Sequence, residues 1–507
     1  MELTILPGEG FYGGLVTQGI HQPYTAETQL TVDLTDNQSP NPMMPLLLST
    51  AGRWLWNPQG MQVQFLKGRI CCPDDTQLGQ TSGTLADAYR QAMAQCFPFH
   101  PGTPDLRLFS SPVYNTWIPL TFHQSQAGVL DYAQGILDSG LPSGVLMIDD
   151  GWSDYYGKWS FSKEKFPDPK QMLTTLKDMG FTPMVWLCPF ITPDTQQYRQ
   201  LEQQKLLVTN QQGQVHIAHW WNGWSAVLDM TQEAARCWLR QQLDQLQALG
   251  VEGFKFDAGD LAYYPAQGPI PPETHSQAWA AFGETYPLNE YRVTTGAGGW
   301  RLMQRLCDKD PDWGQRGLAA LIPDAIVQSL TGHPYLCPDM IGGGEYRAFL
   351  DLQQLDQELM VRWAQTAALM PVMQFSAAPW QVLSQENLER VRQAVAIRQR
   401  YWPLLSELIH HCQATGEPIL RPLAYHFPEP ACAAITDQYL VGSQLLVAPI
   451  LEKGRQGCRV YLPRGCWQRE TGQILQSSGQ WFDLEYGSCL GIFTLTTASP
   501  REGREPV

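Results

Sequence analysis

The chain is short of charge. Asp, Glu, Lys and Arg make up only 16% of its 507 residues, and acidic groups outnumber basic ones 49 to 34, for a formal net charge of −15. No basic cluster interrupts that balance, which argues against nucleic acid or an anionic membrane as partner. No run of about 18 apolar residues offers a membrane-spanning helix; the longest apolar stretches are strand-length. The amino terminus, MELTILPGEGFYGG, has neither a basic n-region nor a long apolar h-region, so no signal peptide is expected. The 12 cysteines form no CxxC pair, and Cys188, Cys307 and Cys337 lie in apolar runs. Buried reduced thiols and a cytoplasmic location are the expectation. The 10 histidines show no HExxH or paired ligand spacing, which argues against zinc. Internal repeats and low-complexity tracts are also missing.

What is present divides into three regions. With 43% hydrophobic residues the chain can bury sizeable cores. Residues 1–110 alternate short β-rich runs (Gln29–Leu34, Met44–Ser49, Gln62–Leu66) with Pro, Gly and Asn turns, as a β-sandwich would. Residues 111–405 alternate strands and helices. Strands are expected at Val113–Trp117, Gly144–Ile148, Thr182–Leu187, Glu252–Phe256, Arg292–Thr295, Leu302–Cys307, Pro334–Cys337 and Pro371–Phe375. Helical stretches lie between most of them, the last at Gln385–Tyr401. Eight strands with helices point to a (β/α)8 barrel. A doubly wound sheet would need a Gly-rich phosphate turn after Val113–Pro119, and none is there. Residues 406–507 return to β-rich runs and imply a second sandwich.

The most informative stretch is VEGFKFDAGD at residues 251–260, a short buried strand that ends in charge. It delivers Lys255, Asp257 and Asp260 to the strand's C-terminal end, the edge where such barrels place their chemistry. A lysine on the same strand face favours an ionised carboxylate, which could serve as a nucleophile. The competing reading is a structural Lys–Asp pair. Other strand ends carry Asp149 and Asp150 (VLMIDDGW), Arg305 and Asp308, and Asp339 (CPDMIGG). Trp117, Trp152, Trp186, Trp220, Trp221, Trp224, Trp300, Trp313 and Trp380 fall near the same edge. Carboxylates accept bonds from hydroxyls and aromatic faces pack on the C–H faces of a pyranose, so the pattern suits a sugar site. Each tryptophan taken singly reads equally as core.

These segments together resemble glycoside hydrolase family 31. The resemblance covers nearly the whole chain: FYGGLVTQG and MPLLLSTAGRWLW, then IDDGW, FPDPKQMLTTLKDMGFTPMVWLCPF, WWNGWSAVLDMT, KFDAGD, CDKDPDWG, GHPYLCPDMIGGG, ELMVRWAQTAALMPVMQFS, ILRPLAYHFP and DQYLVGSQLLVAPILEKG. KFDAGD departs from the WxDMNE pattern of the family's α-glucosidases and is closer to an α-galactosidase-type branch. The resemblance implies a retaining, exo-acting α-glycosidase that needs no cofactor or metal and takes an α-linked carbohydrate. Asp257 matches the nucleophile. Asp308 matches the acid/base, with Trp313 and Asp339 as its markers; Asp310 and Asp312 in the same loop are the alternatives. Asp149, Asp150, Trp186, Trp221, Lys255, Arg305 and Asp339 match sugar-binding positions. Arg362 matches a family position and reads equally as a helix salt-bridge partner. The family's usual Arg–His pair after the eighth strand is missing from MPVMQFSAAPW, where Gln374 and Trp380 are expected to shape the site. An α-glucosidase or α-xylosidase of the same family, a member of glycoside hydrolase family 36 (from IDDGW and KFD), and a catalytically silent carbohydrate-binding protein are the rivals. Transglycosylation by the same residues and a homo-oligomeric state are compatible with the sequence.

Overall fold

The computed structural model describes residues 1–351, 355–487 and 490–496. Its centre is a ring of eight parallel strands: β1 (Val113–Asn115), β2 (Val145–Ile148), β3 (Thr182–Leu187), β4 (Gly253–Phe256), β5 (Asn289–Tyr291), β6 (Gln304–Arg305), β7 (Leu336–Cys337) and β8 (Gln374–Phe375). From β1 to β7 each pairs in parallel with the next, and β8 pairs with β1. The Val372 N–H donates to the Leu336 carbonyl at 3.0 Å and the Ile341 N–H to the Gln374 carbonyl at 2.8 Å, closing the ring between β7 and β8. The strand VLMI of β2 is an apolar run because both of its faces are covered.

Among the described residues seven helices of ten or more residues follow the strands: α1 (Gln126–Asp138), α2 (Pro169–Asp178), α3 (Glu233–Leu249), α4 (Pro272–Glu284), α5 (Leu321–Leu330), α6 (Gln357–Ala367) and α7 (Gln385–Thr415). Their ends are written locally. Ser125, Asp168 and Ser384 accept first-turn N–H bonds at the starts of α1, α2 and α7, and Pro169 fills the first turn of α2. Among the described residues no such helix lies between β5 and β6, and none is long and apolar enough to cross a membrane.

Before the barrel, two four-stranded antiparallel sheets stack over a core that includes Phe11, Leu47, Leu55, Val63 and Ile70. After it come a six-stranded antiparallel sheet and a two-stranded ribbon, Gly457–Leu462 with Gln480–Glu485. The architecture is therefore a (β/α)8 barrel flanked by β domains. A three-stranded insertion, Phe190–Ile191, Ile217–Trp220 and Gly223–Val227, follows β3.

Two expectations are corrected. The run Arg292–Thr295 lies just beyond the barrel strand, which is Asn289–Tyr291. The β-branched residues pair instead with the N-terminal domain: the Met43 N–H donates to the Thr294 carbonyl at 3.2 Å, and the Gly296 N–H to the Met43 carbonyl at 3.1 Å. The helix expected to stop at Tyr401 runs through residue 405 to Thr415 and ends at Gly416, which has φ +73°. Pro403 is tolerated because it and Gln399, whose carbonyl loses its partner, both face solvent.

Candidate active site

At the C-terminal end of the barrel lies a cavity of about 430 Å³. Asp149, Asp150, Trp186, Trp221, Lys255, Asp257, Arg305 and Asp308 all line it.

Asp257 leaves β4 into a turn whose next residue, Ala258, holds φ +65°, followed by Gly259 at +92°. A left-handed alanine is uncommon and is kept only where surrounding structure imposes it. The turn lets Oδ1 accept the Ala258 N–H at 2.7 Å and the Arg292 Nε–H at 2.9 Å, while Oδ2 accepts the Trp186 indole N–H at 2.9 Å. Burial alone would raise the pKa of this carboxyl. Arg292, Lys255, the Trp186 bond and Arg305 outweigh it and hold the group well below the usual carboxylate range. Arg292 also grips Asp260 through Nη1 (3.2 Å) and Nη2 (2.8 Å), and donates to the Pro40 carbonyl at 3.0 Å. One cation thus serves two buried carboxylates. Asp257 is lowered, whereas burial raises Asp260 above its ordinary value despite Arg292.

The wall at β2 is a second charged cluster. Asp149 accepts from Lys255 Nζ at 2.9 Å and Asn115 Nδ2 at 2.8 Å, and its Oδ1 takes the Asp150 N–H. Asp150 accepts from the Tyr156 hydroxyl at 2.9 Å, which in turn accepts from Asn222. Burial, helped by the charges of Asp149 and Asp257, pushes Asp150 up to about 7 despite the Tyr156 bond.

Opposite stands Asp308, whose side chain is 42% exposed. Its Oδ1 accepts from Arg305 Nη1 at 2.8 Å, and among the described residues Oδ2 has no hydrogen-bond partner. Arg305 also contacts Asp339 (2.6 Å) and Glu290 (3.2 Å). Asp339 lies behind Arg305 rather than on the cavity wall. It is fully buried at φ +76° and accepts the Lys309 N–H at 2.9 Å. Burial raises it to about 7 against the pull of Arg305. Gly344 backs Asp308 so closely that a Cβ there would sit 2.6 Å from Oδ1.

Several expected residues lie elsewhere. Asp310 pairs with Arg316 and Asp312 accepts the Gly314 N–H; neither lines the cavity. Arg362 faces the C-terminal domain, donating to the Arg455 carbonyl at 2.9 Å. Gln374 is inside the barrel, donating to Glu290 at 2.7 Å, and Trp380 packs on Tyr132 of α1. The tryptophans likewise divide. Trp117, Trp186 and Trp221 line the cavity, while Trp152 is buried against β3, Trp300 stacks on His100 and Trp313 bonds Asp356. Trp221, 47% exposed, turns its ring under the Arg292 guanidinium at 5.3 Å.

Sequence reasoning missed Arg292, Tyr156, Glu290, Tyr346 and Pro40. A charged residue inside the buried strand NEY was the available signal for Glu290; nothing local distinguished Arg292 from an edge residue. Among the described residues no group of three or more His, Cys, Asp or Glu is placed to hold a metal ion.

Two family models match the chain: the TIM-barrel domain of glycosyl hydrolases family 31 over residues 114–297, and the C-terminal domain of that family over residues 416–494. Among curated relatives, the myogenesis-regulating glycosidase of Mus musculus is 33% identical over 426 residues, 81% of this chain and 59% of its own length. The SITS-binding protein of Tetronarce californica is 32% identical over 277 residues, 50% of this chain and 38% of its own. The chain therefore spans less than two thirds of either relative. The structure of a GH31 α-xylosidase from a soil metagenome, complexed with xylose, superposes with a TM-score of 0.80 at 23% identity, covering 98% of this chain and 79% of that one.

Proposed function

Because the chain belongs to glycoside hydrolase family 31, we propose that it is a retaining, exo-acting α-glycosidase with Asp257 as nucleophile and Asp308 as acid and base. One observation carries this reading. A buried carboxylate held ionised by Arg292 and Lys255 shares a single cavity with a half-exposed carboxyl that has one oxygen free. That is the division of labour retention requires. Asp257 attacks the anomeric carbon to form a glycosyl-enzyme, and its fixed charge stabilises the oxocarbenium-like transition state. Asp308, still gripped by Arg305 through Oδ1, gives a proton from Oδ2 to the departing oxygen. It then takes one from the water that releases the sugar. Lys255, Asp149 and Asp150 form the wall that reads hydroxyls, and Trp117, Trp186 and Trp221 bear on C–H faces.

The glycon we infer is galactose-configured. Its support is the KFDAGD motif together with the loop after β8, where Ser376, Ala377 and Ala378 bring no charged side chain. A glucoside or xyloside specificity is the second reading, favoured by the likeness to the α-xylosidase structure.

The deciding assay is a panel of aryl α-glycosides: galactoside, glucoside, xyloside, N-acetylgalactosaminide and sulfoquinovoside. One should turn over, and Asp257→Ala should abolish that turnover without unfolding the protein. Substantial residual turnover would remove Asp257 as nucleophile. Silence on the whole panel, with no trapping by an activated fluoro-sugar, would favour a binding protein. The first product seen by proton NMR should keep the α configuration.

A further inference from the structure

The N-terminal domain reaches the cavity wall through Pro40, in the segment from Asn37 to Met43. Its sequence, NQSPNPM, is stiff by composition: Ser39 and Asn41 each precede a proline, which confines them to extended backbone. Asn37 fixes the bend by accepting from the Ser39 hydroxyl at 2.6 Å and donating to the Asn41 carbonyl at 2.9 Å. The segment is then fastened on both sides of the site. Toward β5, the Pro40 carbonyl takes Arg292 Nη1 at 3.0 Å and Asn37 Nδ2 reaches Thr295 at 3.3 Å. Toward β6, Asn41 Oδ1 accepts the Cys307 N–H at 2.6 Å, and Asn41 Nδ2 lies 3.3 Å from Cys307 Sγ. Cys307 immediately precedes Asp308. Asn41 is fully buried and spends its whole side chain on that one residue.

We propose that Asn41 is a positioning residue for Asp308, and that the Asn37–Met43 strap sets the acid/base against the nucleophile from outside the barrel. The proposal rests on the catalytic reading above. Arg305 grips the Asp308 carboxyl from inside the barrel. On the C-terminal side of Asp308 the backbone is held by the Lys309 N–H on Asp339 at 2.9 Å; the other hold is on its N-terminal side, at the Cys307 N–H. Asn41 supplies that second hold, and the strap that carries it also touches Arg292, the cation of Asp257. The separation of the two carboxyl groups, on which retention depends, is thereby referred to one rigid external segment.

The test compares Asn41→Ala with wild type on the 4-nitrophenyl and the methyl α-glycoside of whichever glycon the wild type turns over. Only the methyl leaving group needs a well-placed proton. kcat/KM, which reports the glycosylation step, should fall by roughly tenfold or more on the methyl glycoside and by less than about threefold on the 4-nitrophenyl glycoside. The alkaline limb of the pH profile should move as Asp308 leaves its place. Asn41→Asp keeps an acceptor for the Cys307 N–H and should restore most of the loss. Equal losses on both substrates, or an unmoved pH profile with no rescue, would overturn the role. Asp308→Ala, assayed beside it, separates the two failures. If Asp308→Ala itself lacks the leaving-group dependence, the acid assignment is wrong. If only Asn41→Ala lacks it, the strap is structural alone. Silence of the wild type on both glycosides would remove the catalytic reading and the proposal with it.

Discussion

At the residue scale the site is a problem of too many carboxylates for its cations. Asp149, Asp150, Asp257, Asp260 and Asp308 face one cavity with Lys255, Arg292, Arg305 and Arg347. The cations are not shared evenly, and that inequality gives Asp257 its low pKa. The neutral side-chain contributor is the Trp186 indole N–H. Trp186→Phe keeps the ring as a wall and deletes the bond. The Asp257 pKa should rise, so activity should begin to fail at a higher pH on the acid side, with kcat/KM down roughly tenfold for one lost charge-assisted bond. A pH–rate series on the best aryl glycoside checks both. Asp308→Ala should leave kcat/KM on activated aryl glycosides nearly unchanged and cripple it on poor leaving groups, while kcat falls on both because the release of the sugar loses its base; equal loss of kcat/KM on both would remove Asp308 as the acid.

At the element scale, β2, β3 and β4 were legible because they are mainly apolar runs bounded by turns, β4 broken only by Lys255, and Asp149, Asp150 and Asp257 followed directly from the ends of β2 and β4. The strands β5 to β8 have two or three residues each, too few for periodicity to set their ends. That is why Arg292 was read as strand when it stands beyond β5. Helix α4 went unread because His275, Ser276, Trp279 and Phe282 are all buried in it, leaving a weak polar face. The approach to β7 carries a separate liability. His333 is buried, neither ring nitrogen has a partner among the described residues, and burial holds its pKa down to about 3. In the unfolded chain an imidazole takes its proton near 6.5. Between those values only the unfolded chain binds the proton. Stability should therefore fall as pH drops from 6.5 toward 3, by up to about 1.4 kcal/mol per pH unit, and be indifferent to His333 above 6.5. His333→Phe cannot titrate and should flatten that part of a melting-temperature series; an unchanged slope would clear His333.

At the scale of the whole molecule, the family's order of domains was readable because its motifs are spread along the chain, whereas the contacts between domains were not, since no motif records them. One buried apolar cluster runs from Trp54 and Leu85 through Leu146 and Phe256 to Tyr439 and Val460. Tyr12 and Tyr89 of the N-terminal region donate to the carbonyls of Ala433 and Gly416, both at 2.9 Å. Calorimetry should accordingly show one cooperative transition rather than three, and limited proteolysis should release no folded barrel.

The strap has a consequence for synthesis. Asn41 meets Cys307 across 266 positions of sequence, and Pro40 meets Arg292 across 252. At ribosomal speeds that interval is on the order of ten seconds to a minute. For all of it, the Pro-rich segment waits outside the tunnel with buried-type amides and no partner, while the wall it will fasten is still being translated.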